Sequence, residues 1–228
     1  MIIYGKQVCL YALDKHPDII KTVYVAKKGI LPQELFHKFH SKIKFLENRW
    51  AQAKAKGGNH QGLLLEIEPI KQDSVSCIKD GDFVLVLDGL TDVGNIGAII
   101  RSAYALGVDG VVISGIRQLN LEAVARTSAG ALLDMPFAVV PNISDVLNEF
   151  KQIGFELYGA DMGGESIQDV EFAPRRVLIM GSEDKGMSKK AKSKLDKIVS
   201  IDMQHGFDSL NVNAAASILI HRMKYAVK

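Results

Sequence analysis

The segment that most restricts the fold of this chain lies near its carboxyl end, at residues 201–219, IDMQHGFDSLNVNAAASIL. A strand-like run at 198–201 leads into a glycine-containing loop, and a helix is predicted to begin at Ser209 or Asn211. A surface helix carries an apolar stripe about 100° wide and a polar remainder, whereas this helix has almost no polar face before His221. We expect it to be buried on more than one side, between its own sheet and another surface such as a second subunit. An ordinary internal helix of an α/β domain is the alternative.

Polar side chains gather where this predicted helix begins. They are Asp208, Ser209, Asn211 and Asn213. Buried polar groups need hydrogen-bond partners, and a loop that leads into a helix start commonly holds a ligand. The start of the last helix is therefore a candidate binding site.

The composition indicates an ordinary globular protein with one large or two modest domains, since 47% of its 228 residues are hydrophobic and 24% are charged. No apolar run approaches the roughly 18 residues of a membrane span, and the amino terminus lacks the pattern of a secretory signal. Cys9 and Cys77 lie far apart and form no CxxC motif. We expect both to be small buried hydrophobes in a cytoplasmic protein, with no metal site.

The net charge of +2 is small, but its distribution is uneven. Residues 1–70 carry a formal charge of +5 and the remainder carries −3. Basic residues cluster at 27–56, with His37 and His40 among them. Such a region can follow the phosphates of a nucleic acid, and a solvated helical face would look the same.

The sequence pattern divides the chain into two regions with different organisation. Residues 1–67 are predicted to form a small α/β unit, in which the segment NHQG at 59–62 is first a turn and second a contact for a base or phosphate. The polar segment 69–81 is the predicted linker. The predicted elements of the first unit are helices at 5–13, 31–40 and 49–56 and strands at 22–26, 43–46 and 63–67.

From Phe83 onward, strands and helices alternate, which predicts a parallel sheet flanked by helices. The predicted strands are 83–87, 110–114, 137–140, 156–160, 177–180 and 198–201. The predicted helices are 96–106, 121–127, 144–153, 188–195 and 212–225. Ligands in such sheets bind beyond the carboxyl ends of the strands, so the loops after the first, fifth and sixth strands are candidate sites.

The first of these loops opens the stretch 87–108, LDGLTDVGNIGAIIRSAYALGV. Asn95 lies between two glycines at the start of a helix, and Arg101 lies about 140° from Ile96 of the apolar stripe. A guanidinium in so apolar a helix is either paired with an acid or directed at an anion. The G-x-G-x-x-G spacing of a dinucleotide site is absent.

The second candidate loop lies in the stretch 177–188, VLIMGSEDKGMS. A hydrophobic strand runs into Gly181, the carboxylates Glu183 and Asp184, and Gly186. Two glycines in six residues let backbone groups approach a ligand closely, although a plain strand-to-helix turn has the same composition. The order of residues differs from that of a Walker A loop.

Four segments in this order resemble the SpoU branch of the SPOUT RNA methyltransferases: GNIGAIIRSAYALG, RTSAGAL at 126–132, LIMGSEDKGMS and SLNVNAAAS. Near the amino terminus, YG and NHQG resemble the RNA-binding domain of bacterial 23S ribosomal RNA guanosine-2′-O-methyltransferases. The chain departs from the family pattern at Asn213, where Ser is usual, and at Asp184, where Gly is common.

The resemblance implies an α/β fold in two domains, a small ribosomal-L30e-like RNA-binding domain at 1–68 and, after the linker, a parallel-sheet α/β-knot methyltransferase domain at 82–228. It implies a deep trefoil knot, although protein chains are almost never knotted. It also implies S-adenosylmethionine as cofactor, an active site at a homodimer interface, ribosomal RNA as substrate, and neither metal nor membrane.

The resemblance also assigns roles to individual residues. The implied catalytic residues are Arg101, Asn211, Glu183, Asn95 and Ser209, and the implied cofactor-binding residues are Gly181, Ile201, Leu210, Met180 and Met203. The implied contacts with substrate RNA are Arg101, His60, Gln61, Lys27 and Lys28. Arg101 is expected to fix a phosphate and to activate the ribose 2′-hydroxyl electrostatically. Asn211 and Ser209 are expected to bond the ribose or Arg101, with Glu183 orienting these groups.

The predicted function is therefore that of a cytoplasmic ribose 2′-O-methyltransferase that modifies a guanosine of 23S ribosomal RNA. A transfer-RNA ribose methyltransferase is the alternative with the same chemistry. A catalytically silent RNA-binding ribosome-assembly factor is the alternative from another class, and the presence of Arg101 and Asn211 disfavours it. A dehydrogenase is disfavoured by the missing glycine fingerprint.

Overall fold

The computed structural model describes residues 1–205 and 209–226. Its strands are β1 (Ile2–Tyr4), β2 (Ile20–Val25), β3 (Ile43–Phe45), β4 (Leu63–Ile67), β5 (Phe83–Asp88), β6 (Gly110–Ser114), β7 (Phe137–Val140), β8 (Glu156–Ser166), β9 (Arg176–Gly181) and β10 (Lys197–Ser200). Its α-helices are α1 (Lys6–Lys15), α2 (Gln33–Lys38), α3 (Asn48–Lys54), α4 (Val75–Ile78), α5 (Val93–Ala105), α6 (Leu121–Thr127), α7 (Ile143–Gln152), α8 (Lys189–Lys192) and α9 (Val212–Tyr225). No helix within the described ranges is long and apolar enough to cross a membrane.

The chain divides into two compact units, each of which is built from two stretches of sequence. The first unit contains Met1–Lys71 and Asn120–Leu133, and the second contains Gln72–Leu119 and Asp134–Lys228. The backbone therefore passes from one unit to the other three times, rather than once through a single linker.

The first unit contains a four-stranded sheet with the order β1-β4-β2-β3. Strand β4 pairs antiparallel with both β1 and β2, and β3 lies parallel to β2 at the edge. On one face, Ala51 and Ala55 of the α3 segment pack with Tyr24 and Leu64. Strand β1 was not predicted, because three residues at a chain end are too few to show a periodic pattern.

The segment 120–133 belongs to the first unit, although sequence reasoning placed it in the methyltransferase domain. Val124 and Ala125 of α6 are fully buried. Gly130 has a φ of +101°, and a Cβ there would lie 2.6 Å from the ring of Tyr11. The short RTSAGAL segment thus packs against residues more than 100 positions away, which no local pattern could indicate.

The second unit contains a six-stranded sheet with the order β10-β8-β9-β5-β6-β7. Each neighbouring pair in this sheet is parallel, so the predicted α/β fold with a parallel sheet is confirmed. All six residues of β5 are buried, as expected for a central strand covered on both faces. The parallel arrangement brings the carboxyl ends of these strands to one edge of the sheet.

Strand β8 and helix α8 are the elements of the second unit that differ most from their predicted lengths. Strand β8 runs on to Ser166 instead of ending at 160, because its pairing with β10 resumes after a register shift. Helix α8 ends at Lys192 instead of 195. Beyond that helix, Leu195 packs against Gly159, where a Cβ would lie 2.4 Å from the Leu195 side chain.

Helix α9 has the predicted bounds, but in the single chain it buries only one side. Val212, Ala216, Leu219, Ile220 and Met223 are its buried residues. On the other side, Ile218 is 42% exposed and Tyr225 is 69% exposed. The helix packs against α5, where the Ser217 hydroxyl donates to the Ser102 hydroxyl at 2.8 Å.

The two cysteines differ in accessibility, and the expectation that both are buried is wrong for Cys77. Cys9 is fully buried, which raises the pKa of its thiol, whereas Cys77 is exposed. We expect one thiol per native chain to react rapidly with a thiol reagent, since a buried protonated thiol is a poor nucleophile. Cys77→Ser should abolish the rapid phase, and rapid labelling of that variant would contradict the structure.

Candidate active site

A cleft of about 360 Å³ opens in the second unit beside residues 160–162 of β8 and the carboxyl ends of β9 and β10. The five residues predicted to bind a cofactor all line it: Met180, Gly181, Ile201, Met203 and Leu210. Glu183 and Ser209 line it as well. Because the cleft lies where parallel strands end, its position agrees with the general rule for ligand sites in such sheets.

Gly181 is required by the close approach of two backbone segments. A Cβ at Gly181 would lie 2.0 Å from the carbonyl carbon of Gly186 and 2.1 Å from the nitrogen of Met187. The loop between these glycines is closed by backbone hydrogen bonds in both directions between Ser182 and Gly186. Beyond the loop, the N–H of Ser188 donates to the buried carboxylate of Asp88 at 2.7 Å. One wall of the cleft is thus a tight turn with no room for a side chain at its base.

Glu183 connects this turn to the start of α9. Its Oε1 accepts from Asn211 Nδ2 at 2.9 Å and from the backbone N–H of Val212 at 3.1 Å. The side chain of Asn211 in turn caps the helix by accepting from the N–H of Asn213 at 3.1 Å. A carboxylate near a helix start is favourable because unpaired N–H groups face it.

Asn95 joins the same network from α5. Asp92 caps α5 by accepting from the N–H of Asn95 at 2.7 Å. The Oδ1 of Asn95 then accepts from Asn211 Nδ2 at 3.5 Å and from Asn213 Nδ2 at 3.4 Å. Three of the predicted catalytic residues, from three separate motifs, therefore meet in one hydrogen-bonded group beside the cleft.

Arg101 stands apart from this group. Its side chain is exposed on α5, and within residues 1–205 and 209–226 it forms neither a hydrogen bond nor an ion pair. No acid among the described residues pairs with Arg101, and a role toward an anion stays a prediction. Glu183 contacts Asn211, one of the groups that it was expected to orient, and neither residue contacts Arg101 within the described residues.

Other polar residues lie in the segment that precedes α9. Ser209 is exposed and lines the cleft. His205 is exposed and adopts a φ of +59°. Asp208 lies outside the described residues.

Apart from Arg101, the residues predicted to contact RNA lie in the first unit. Lys27 and Lys28 are exposed at the end of β2. His60 is only 5% exposed, and its Nδ1 accepts from the N–H of Gly62 at 3.0 Å, so this ring builds the turn and offers little surface to an RNA. Gln61 is exposed, and its Oε1 accepts from the N–H of Lys6 at 2.8 Å.

Sequence reasoning missed part of the cleft. Asp161 and Met162, in β8, and Lys192, in α8, also line it, and Asp161 pairs with Lys192 at 2.6 Å. The sequence signal that could have found Asp161 and Met162 is the polar, glycine-rich segment 161–166, which directly follows the fourth predicted strand. The described residues contain no group of three His, Cys, Asp or Glu side chains that could hold a metal ion.

The two hydrogen bonds that Glu183 accepts should stabilise the start of α9. Glu183→Ala should lower the free energy of unfolding by about 1 kcal/mol, because it removes the acceptor of two hydrogen bonds at the start of α9. Glu183→Gln keeps an acceptor oxygen and should lose less. Urea unfolding measures both, with Asp184→Ala as the control, since the exposed carboxylate of Asp184 makes no hydrogen bond within the described chain. Equal losses for the two alanine variants would contradict the assigned contacts.

Two parts of the chain match known protein families. Residues 82–221 match the SpoU rRNA Methylase family, and residues 2–72 match the RNA 2′-O ribose methyltransferase substrate binding family. The chain belongs to the SpoU rRNA methylase family. The resemblance of the four sequence segments is thereby confirmed, and the protein is an RNA methyltransferase of the SpoU type.

Individual relatives cover nearly the whole chain. The chain is 29% identical to the 23S rRNA (guanosine-2′-O-)-methyltransferase RlmB of Salmonella typhimurium over 96% of both proteins, and 29% identical to RlmB of Escherichia coli over 96% of both. Among solved structures, it is similar to the SpoU methyltransferase AviRb of Streptomyces viridochromogenes in complex with AdoMet, with a TM-score of 0.79 and 24% identity over 98% of this chain and 89% of that one. An AdoMet-bound rRNA methyltransferase from Sinorhizobium meliloti gives a TM-score of 0.77 at 22% identity, over 98% of this chain and 86% of that one.

Proposed function

We propose that this SpoU-type methyltransferase transfers a methyl group from S-adenosylmethionine to the ribose 2′-hydroxyl of a guanosine in 23S ribosomal RNA. The observation that carries the proposal is the cleft itself, which joins the Glu183–Asn211–Asn95 group at the edge of the sheet. The 29% identity to RlmB enzymes over 96% of the chain supports ribosomal RNA as the substrate.

The residues of the cleft fit S-adenosylmethionine. A volume of about 360 Å³ lies within the ordinary range for small-molecule sites. Its walls combine apolar side chains, such as Leu210 and Leu219, with the exposed carboxylate of Glu183 and the backbone turn at Gly181. This combination suits a ligand with an aromatic base, a ribose and a cationic sulfur. When bound, S-adenosylmethionine supplies an electrophilic methyl group, so the chemistry needs no metal.

The protein's own residues have to orient the 2′-hydroxyl in line with the methyl–sulfur bond. The guanidinium of Arg101 presents a fork of donors that matches a phosphate. It holds the phosphate next to the target ribose, and its positive charge favours loss of the hydroxyl proton to solvent water. Asn211, Asn95 and Ser209 position the ribose, and Glu183 holds Asn211 in place.

The family pattern supports three further parts of the proposal: a deep trefoil knot near the cofactor, a ribosomal-L30e-like fold for residues 1–68, and action in the cytoplasm on RNA. A homodimer is supported by the exposed apolar side chains on neighbouring helices, Tyr104 on α5 and Ile218 and Tyr225 on α9. A second copy on this surface would cover α9 on its other side and would bring a partner close to Arg101.

A truncation after residue 68 would remove only part of the first unit, which also contains residues 120–133. Removing residues 1–68 would expose Val124 and Ala125 of α6, which are buried in the first unit. Single substitutions on the surface of the intact chain are the better test of RNA binding, and one is described below.

The test of the proposed function is methyl transfer from labelled S-adenosylmethionine to unmodified ribosomal and transfer RNA, followed by nucleoside mass spectrometry. We expect 2′-O-methylguanosine in 23S ribosomal RNA alone. Label only in transfer RNA would keep the chemistry and overturn the substrate. A protein that binds RNA but labels neither of the two RNAs nor ribosomal assembly intermediates would be a silent binding factor.

A further inference from the structure

The RTSAGAL segment, which the proposed mechanism does not use, places an arginine on the first unit. Arg126 lies in the last turn of α6 and its side chain is exposed. Its guanidinium carbon lies 5.1 Å from the centre of the Tyr4 ring, a distance typical of a cation–π contact. Tyr4 ends β1, so the two residues come from parts of the chain that lie 122 positions apart.

The Tyr4 ring is held in place on the side of Gly58. A Cβ at Gly58 would lie 2.1 Å from the Tyr4 hydroxyl oxygen and 2.5 Å from its Cζ, so only glycine leaves room for the ring. The backbone of Tyr4 is fixed as well, since it pairs with Leu64 in β4. The guanidinium of Arg126 therefore lies over a ring that is itself positioned, which lowers the entropy cost of using it for binding.

The acid best placed to neutralise Arg126 is engaged elsewhere. Glu122 lies four residues earlier in α6, a spacing at which Glu and Arg commonly pair. Its carboxylate instead accepts from the N–H of Ile2 at 3.2 Å and lies 3.7 Å from the Nζ of Lys56. Arg126 forms no ion pair within the described part of the chain, so its N–H donors point to solvent from an aromatic support.

Arg126 lies near Gln61, one of the residues predicted to contact RNA. Tyr4, which supports Arg126, pairs with Leu64 at the start of β4. Two residues after Tyr4, the N–H of Lys6 donates to the Gln61 side chain. We propose that Arg126, supported by Tyr4, binds a backbone phosphate of the substrate RNA. A planar guanidinium with free donors binds a phosphate through two hydrogen bonds, which a lysine cannot do. The inference rests on the proposed function and adds a substrate-binding residue to it. This residue lies within the 82–221 match to the SpoU family, although it packs in the first unit.

The test compares RNA affinity of full-length variants, with a 23S ribosomal RNA transcript as the probe and a series of salt concentrations. Arg126→Gln should raise the Kd for RNA about tenfold and lower the salt slope by about one. Arg126→Lys keeps the positive charge, so it should show the salt slope of the parent protein but only part of its RNA affinity. Tyr4→Leu removes only the aromatic ring beneath Arg126, so it should likewise keep the parent salt slope and lose part of the RNA affinity. Lys15→Gln is the matched control, since Lys15 is exposed on the same unit and already pairs with Asp14 at 3.3 Å.

The expected kinetic signature is a higher KM for RNA with an unchanged kcat and an unchanged affinity for S-adenosylmethionine. RNA affinity and salt slope of Arg126→Gln within twofold of the parent protein would overturn the inference while leaving the proposed function intact. A lower melting temperature and weaker cofactor binding in Arg126→Gln would also overturn it, because Arg126 would then be structural. A parent protein that neither binds nor methylates the transcript would instead refute the proposed function.

Discussion

Arg101→Ala is expected to lower the rate of methyl transfer about 1,000-fold or more, while the dissociation constant for S-adenosylmethionine stays within a few-fold of the parent value. Loss of one charged group that stabilises a developing negative charge typically has an effect of about 100- to 1,000-fold. Arg101 also positions the substrate in the proposed mechanism, so we expect the upper end. The structure predicts normal folding, because the exposed side chain makes no hydrogen bond or ion pair within the described residues.

Single-turnover methylation measures the rate of methyl transfer, and calorimetric titration measures the dissociation constant for S-adenosylmethionine. Arg101→Lys keeps the charge but loses the forked geometry, so it should recover only part of the rate. Lys190→Ala is the control, since Lys190 is an exposed cation of the same unit that does not line the cleft. Near-normal turnover of Arg101→Ala would remove Arg101 from the mechanism.

Gly181→Ala is expected to have the largest effect on the cofactor cleft. The added Cβ would lie 2.0 Å from the carbonyl carbon of Gly186 and 2.1 Å from the nitrogen of Met187, and both are backbone atoms that cannot rotate away. We expect the free energy of unfolding to fall by about 3 kcal/mol, the upper end of the usual cost of overpacking. The displaced turn should also weaken cofactor binding about 100-fold, equivalent to about 2.7 kcal/mol.

Gly186→Ala separates this steric effect from backbone strain in the same turn. Gly186 has a φ of +63°, and a Cβ there would meet no atom within 4 Å. Its substitution should therefore cost only about 1 kcal/mol, from the left-handed conformation. Urea unfolding and cofactor titration of both variants give the comparison. A Gly181→Ala protein with the stability and cofactor affinity of Gly186→Ala would show that the turn can relax.

Much of the fold could be predicted because its elements carry strong local signals. The bounds of α9, β6 and β7 agree with the prediction, and each of these segments contains a run of apolar residues. Segments without such a pattern were predicted less well. Strand β1 is too short, and the far end of β8 is polar and glycine-rich, so its pairing depends on the neighbouring β10.

The candidate site was predictable in its location and not in its contacts. Parallel strands bring their carboxyl-end loops to one edge, so motifs after separate strands could be expected to meet there. The sequence could not show that Glu183 bonds Asn211 and the start of α9 instead of Arg101. That choice depends on distances of a few ångströms between segments 28 residues apart in the chain.

The sequence by itself determined the class of elements, the parallel sheet and the membership of the SpoU family, because these follow from local periodicity and from motifs that lie within single stretches. Only the tertiary structure decided that the RTSAGAL segment packs in the first unit, that His60 is used in a turn, and that neither Arg101 nor Arg126 forms an ion pair within the described residues. The physical reason is that apolar periodicity specifies which side of an element is buried, whereas the partner that buries it is selected by packing among residues far apart in the chain.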